Sequence, residues 1–158
     1  EHEIIPTAMS PDMRKGMVRG FVHDPAAAML GGVSGHAGLF GNAESLAALM
    51  QMLLNGGVFD GQQYLQAETI AQFTSQQNKD SRRGLGWDKP EFKRGYLNPA
   101  SDYASRACFG HTGFTGTMVW ADPEYDLIYV FLSNRVFPDQ ENKKLLRESV
   151  GTDIMEAI

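Results

Sequence analysis

Six successive apolar residues, Leu127-Ile-Tyr-Val-Phe-Leu132, constrain the fold of this chain more than any other feature. A run of that length, rich in β-branched and aromatic side chains, reads as a strand covered on both faces. Asp122-Pro-Glu-Tyr-Asp126, just before it, carries turn residues and predicts a hairpin with Thr117–Ala121 as the partner strand. Upstream, Cys108-Phe-Gly-His-Thr-Gly-Phe-Thr-Gly-Thr117 alternates bulky and small residues. Its three glycines allow close approach to the backbone, so His111–Thr117 reads as a Gly-rich edge strand that could floor a ligand site. A strand covered on both faces needs a neighbour on each edge, and the hairpin supplies one. No other segment reads as a long strand, and an uncovered apolar edge invites aggregation. The missing strands are therefore expected upstream of Glu1.

The remaining pattern is mostly helix and loop. Residues 1–30 hold Pro6, Pro11, Pro25, Gly16 and Gly20 without sustained periodicity and read as a connection. Residues 31–75 read as a Gly-rich loop and helices. Asn42 can cap a helix whose Leu46, Leu49, Met50 and Leu53 form one apolar stripe, with Gly56-Gly57 as its stop. Val58–Leu65 reads as a small turn and Ala67–Thr74 as a shorter helix. Residues 85–135 read as the strand region, with Leu85-Gly-Trp87 a short strand candidate and an irregular crossing from Pro90 to Arg106. Residues 138–158 read as a terminal helix with Leu146, Val150, Ile154 and Ile158 on one face. The order is that of an α+β domain.

Composition excludes several functions. A net charge of −5 opposes a nucleic-acid partner, and no apolar stretch approaches the roughly 20 residues of a membrane span. One cysteine excludes an internal disulfide. No His-x-x-x-His or Cys-x-x-Cys occurs, so no metal or other cofactor is expected. Cys108 and His111, three apart on an extended strand, fall on opposite faces and cannot act as a dyad; Cys108 reads as a small buried apolar residue. His2 and His23 read as exposed, and Tyr96 with Asn98 as a turn before Pro99. His111 and Thr112 beside an open strand edge could bind a carboxylate or assist proton transfer. A backbone N–H aimed into the cleft could be half of an oxyanion hole.

These residues carry a resemblance. Phe109-Gly-His-Thr-Gly-Phe-Thr-Gly-Thr117, followed by Trp120-Ala-Asp-Pro-Glu124 and Leu127–Arg135, resembles the third motif and last two strands of the serine β-lactamase/penicillin-binding-protein-like family. The likeness is to its class C β-lactamase, D,D-peptidase and esterase branch. Gly31-Gly-Val-Ser-Gly-His-Ala-Gly-Leu-Phe-Gly-Asn-Ala-Glu-Ser-Leu46 is similar to a loop and helix of the same branch, so the match covers most of residues 20 to 158. That family uses Ser-x-x-Lys, Tyr-x-Asn and Lys-Thr-Gly motifs. No serine here begins Ser-x-x-Lys, and Tyr96-Leu-Asn98 lies too near His111 to be the second motif.

The resemblance implies the C-terminal portion of a β-lactamase/transpeptidase-like fold, without the N-terminal strands and the nucleophile helix. It implies a hydrolase acting through an acyl-enzyme on peptides, esters or amides at the cell envelope or periplasm. His111 stands where lysine is usual, which favours a peptidase or esterase over a β-lactamase. By position, His111 would support proton transfer, Thr112 would contact a substrate carboxylate or amide, and the Phe114 N–H would complete the oxyanion hole. Gly113, Thr115 and His36 would line the substrate. The missing N-terminal half would be the partner, and the piece alone would be inactive. Two rivals remain: a non-catalytic module recognising cell-wall peptides, attached to a glycosidase, and a complete small structural domain with Leu127–Ser133 paired on both edges.

Overall fold

Three antiparallel strands in sequence order carry the core, and their side chains alternate between two helical layers. The computed structural model describes residues 4–10 and 16–158. The chain enters through a hairpin, β1 (Pro6–Ser10) and β2 (Gly16–Arg19), and a short helix α1 (Pro25–Met29). Helix α2 (Ala43–Leu54) follows, then a two-residue hairpin, β3 (Val58–Phe59) with β4 (Gln62–Gln63), and helix α3 (Ala67–Thr74). An irregular crossing leads to β5 (Phe109–Thr112), β6 (Met118–Asp122) and β7 (Leu127–Phe131), then helices α4 (Lys144–Arg147) and α5 (Val150–Glu156). The α+β arrangement expected from the sequence is the one found.

Register explains the layering. Phe109 pairs with Ala121, which pairs with Ile128; Gly110 pairs with Trp120, which pairs with Tyr129. Directly opposed residues share a face and successive residues alternate. Phe109 and Ala121 therefore meet Met50 and Leu53 of α2 and Ile70 of α3 on one side. Cys108, Met118, Trp120 and Tyr129 meet Ala100, Ala104 and Met155 of α5 on the other. Trp120 is fully buried, and losing a ring of that size from a packed core costs about 3–5 kcal/mol.

Local chemistry accounts for the helices. The Asn42 side chain accepts the Ser45 N–H at 2.8 Å and caps α2, whose first turn carries Glu44. Asn55 ends the helix, and Gly56 and Gly57 follow with positive φ. Helix α3 occupies the span its pattern predicts. Lys89 ties the end of α3 to the start of β5, donating to Thr74 O at 3.1 Å and Cys108 O at 3.0 Å. Burial lowers the pKa of its ammonium.

Several expectations are corrected. Residues 1–30 are more than a connection, since they hold the β1–β2 hairpin and α1; Pro11 lies outside the described residues. Asp60-Gly61, both at positive φ, make Val58–Leu65 a true hairpin. Leu85–Trp87 bends at Gly86 (φ +77°) and forms no strand; Asp88 alone bridges to Gly110. His111–Thr117 is not a single strand: β5 ends at Thr112 and the chain turns through Gly113–Gly116. Leu49 is exposed because the sheet meets α2 along Met50 and Leu53. The terminal helix breaks at Ser149, which adopts a left-handed φ of +51°. After the break Gly151 and Met155 face the sheet, while Leu146, Ile154 and Ile158 are exposed. Tyr129 holds Gly151 there, its hydroxyl donating to the Gly151 carbonyl at 2.7 Å.

Candidate functional site

The candidate site is the end of β5 and the turn that follows. Gly113 N–H donates to Thr117 O at 2.6 Å and Gly116 N–H to Gly113 O at 3.0 Å, closing the turn on itself. Gly116 (φ +98°) is required: a Cβ there would sit 2.6 Å from Ser133 Oγ and 3.0 Å from Leu145. The residues after β7 bolt the turn down. Arg135 N–H donates to Thr115 O at 2.9 Å, and the Ser133 hydroxyl donates to Gly116 O. The Phe114 ring is held between His23, stacked with centroids 5.4 Å apart, and the Arg135 guanidinium, 4.4 Å from its centroid. The backbone bonds on either side, Gly113 N–H to Thr117 O and Arg135 N–H to Thr115 O, hold the Phe114 peptide, and among the described residues its N–H donates to no acceptor.

His111 is anchored at both nitrogens. Nδ1 lies 2.7 Å from Thr112 O, which can only accept, so Nδ1 carries the proton. Nε2 lies 2.8 Å from Arg83 Nη1, which can only donate, so Nε2 offers its lone pair. Arg83 in turn pairs with Asp88 at 3.3 Å, and Asp88 receives Arg82 through Nε at 2.7 Å and Nη2 at 2.9 Å. Asp88 is buried and exchanges two backbone hydrogen bonds with Gly110, at 2.7 and 3.0 Å. A buried carboxylate thus aligns two guanidinium groups one residue before His111.

The structure brings His111, Thr112, Gly113, Phe114 and Thr115 together at one strand end. The Thr112 side chain is exposed and forms no hydrogen bond among the described residues. His36 is engaged elsewhere. Its Nε2 lies 2.9 Å from Asp24 Oδ1 and its Nδ1 lies 2.7 Å from Ser34 Oγ, which pins the Gly-rich loop to the start of α1. Asp24 also accepts the Ala27 N–H at 2.8 Å. That bond, and His36 after it, hold the Asp24 carboxyl below its usual range. Among the described residues no hydrogen bond or ring contact links His36 to the turn.

His23, which reads as exposed from the sequence, packs on Phe114 instead. Arg83 and Asp88 are not marked by any motif, and Arg135 enters only as the end of the Leu127–Arg135 stretch, without a role. Arg83 stands 28 residues from His111, and the Asp88–Gly110 bridge, the Trp87–Phe109 ring contact and the Lys89 bond to Cys108 O bring their segments together. Cys108 lies on the opposite face, fully buried; burial, and then the nearby Asp122 carboxylate, push its thiol up to about 12. Among the described residues no cluster of three His, Cys, Asp or Glu is placed to hold a metal ion.

Comparison with known proteins gives a consistent picture. The family model described as Beta-lactamase matches residues 4–151. A protein of Escherichia coli K12 named "Putative D-alanyl-D-alanine carboxypeptidase" is 41% identical over 126 residues, which are 79% of this chain and 29% of that protein. A Salmonella paratyphi B protein of the same name is 38% identical over 136 residues, 85% of this chain and 31% of that one. The chain therefore spans under a third of the length of these relatives. A β-lactamase of Mycobacterium bovis with a crystal structure superposes with a TM-score of 0.55 at 24% identity, over 77% of this chain and 45% of that one. At that identity the likeness speaks to the fold.

Proposed function

The chain belongs to the beta-lactamase family, and from that premise we propose that it is the C-terminal part of a serine hydrolase working through an acyl-enzyme. Its substrates are D-amino-acid peptides or esters of the cell-wall type, as handled by a D,D-peptidase or esterase. The observation that carries this reading is the strand end itself, where the Phe114 N–H has no acceptor among the described residues and its ring packs against His23 and Arg135. A fixed, unpaired N–H beside an open strand edge is what a developing oxyanion needs. For His111 to support proton transfer, Arg83 Nη1–H must first release the Nε2 lone pair it occupies, and the exposed Thr112 hydroxyl contacts a substrate carboxylate or amide. Thr115 is a further substrate contact, whereas the space beside Gly113 is taken by Thr117 Oγ1 and His36 is held by Asp24 and Ser34.

No serine here is followed three residues later by lysine, so the nucleophile and its base come from outside this chain. Alone, the chain offers part of an oxyanion hole and a binding surface, and it does not catalyse. The test is incubation with an active-site serine probe such as a fluorescent β-lactam or fluorophosphonate. This chain stays unlabelled, and a full-length protein containing it takes up one equivalent. Stoichiometric labelling of the chain alone would sink the proposal. A full-length protein that binds D-alanyl peptides but never acylates would point to the non-catalytic binding module.

A further inference from the structure

We propose that Arg83 is the fixed positive charge of this site: it sets the tautomer of His111 and favours substrates bearing a free carboxylate. The inference rests on the hydrolase reading above and assigns its charge selectivity to a residue outside the strand motif. A lysine at position 111 would bring a permanent ammonium. Histidine brings a charge that depends on pH, and here both ring nitrogens are engaged, Nδ1–H with Thr112 O and Nε2 with Arg83 Nη1. Position 111 therefore supplies an acceptor, and the cation stands one side chain further out.

Arg83 suits that task. A guanidinium stays protonated throughout the working pH range, and its planar fork matches a carboxylate. Of its five N–H groups, one is given to His111 and one faces Asp88; the rest have no acceptor among the described residues. Its side chain is 50% exposed whereas that of Asp88 is 2% exposed, so one edge is held from behind and the other is open to an approaching anion. The hold is firm because Asp88 is itself fixed, through both oxygens by Arg82 and through its backbone by Gly110. Asp88 is thus a positioning residue for Arg83, and Arg83 is one for His111.

Two measurements test the two halves. The first is the ¹⁵N shift of each His111 ring nitrogen at pH 8, above the ordinary imidazole range, in this chain and in its Arg83→Ala and Arg83→Lys variants. Unsubstituted, Nδ1 should read as protonated and Nε2 as a hydrogen-bonded acceptor. Arg83→Ala should move the pair toward a mixture of tautomers, and Arg83→Lys should restore most of the original pattern. Unchanged shifts in Arg83→Ala overturn the positioning role.

The second uses the full-length hydrolase that contains this segment. The readout is kcat/KM for an N-acyl D-alanyl-D-alanine peptide divided by that for its C-terminal amide. Arg83→Ala should lower this ratio at least tenfold, with partial recovery in Arg83→Lys. A ratio within twofold of the unsubstituted value overturns the charge role, whatever the shifts show. If the unsubstituted protein hydrolyses neither compound, the hydrolase reading and the charge role fall together, and the ring-nitrogen shifts alone decide the positioning role. Arg83→Lys keeps both measurements decisive if Arg83→Ala does not fold.

Discussion

Asp88→Asn is the substitution that best tests whether fold and site share one support. The carboxylate of Asp88 accepts Arg82 Nε at 2.7 Å, Arg82 Nη2 at 2.9 Å and the Lys89 N–H at 2.9 Å, and it pairs with Arg83 Nη2 at 3.3 Å. Asparagine keeps one oxygen, enough for the Lys89 N–H, but turns an NH₂ toward guanidinium donors. Breaking a fully buried ion pair by removing one partner costs about 3–5 kcal/mol. Here the arginine side chains are 31% and 50% exposed, so water solvates their freed N–H groups and the cost falls to about 2–3 kcal/mol.

At about 2–4 °C per kcal/mol for a chain of this size, Tm should drop by about 4–12 °C. Urea unfolding followed by tryptophan fluorescence is the assay, with Trp87 beside the substitution and Trp120 in the core. The midpoint should fall with the slope unchanged, the sign of lost stability rather than altered compactness. A double-mutant cycle with Arg83→Ala should return a coupling of no more than about 1 kcal/mol, since Arg83 is half exposed. A loss below about 0.5 kcal/mol in Asp88→Asn would refute the reasoning.

Other outcomes follow from single contacts. Tyr129→Phe removes the buried donor to the Gly151 carbonyl and should cost about 1–1.5 kcal/mol by urea unfolding. Gly57→Ala should cost more than about 2 kcal/mol, because φ is +91° and a Cβ would collide with the Leu65 carbonyl, whereas Gly61→Ala, at φ +73° in open space, should cost about 1 kcal/mol; equal losses would contradict this. The Cys108 thiol, pushed up to about 12 by burial, should resist iodoacetamide at pH 8 until urea unfolds the protein. The folded thiol keeps its proton above the pH at which the unfolded one, near its ordinary value of 9.0, gives it up. That contribution to stability is therefore intact below pH 9 and lost between pH 9 and about 12. Cys108→Ala should flatten this part of the stability–pH curve.

What local sequence carried, it carried well. The turn Asp122–Asp126 and the apolar run after it appear as β6, β7 and their connection. Asn42, the apolar spacing and Gly56-Gly57 delimit α2, and Ala67–Thr74 is helical as its pattern predicts. Among the described residues β7 pairs only with β6, so the expectation of a complete domain with both edges covered finds no support. Such features rest on interactions within a few residues, where capping, turn chemistry and periodicity act.

The sequence by itself determined the sheet, the main helices and the small-residue strand end that resembles a hydrolase motif. Only the tertiary structure decided what surrounds that strand end. Arg83 reaches His111 because the Asp88–Gly110 bridge and the packing of Trp87 on Phe109 fold residues 82–88 against β5, and no periodicity encodes such contacts between distant residues. Phe114 is gripped by His23 and Arg135, which come from opposite ends of the chain. Ser149 takes a left-handed turn where the pattern predicts a continuous helix, and so sets Gly151 and Met155 on the sheet. Each of these is a long-range packing choice, made by close fit and ion pairing between segments whose local signals carry no trace of one another.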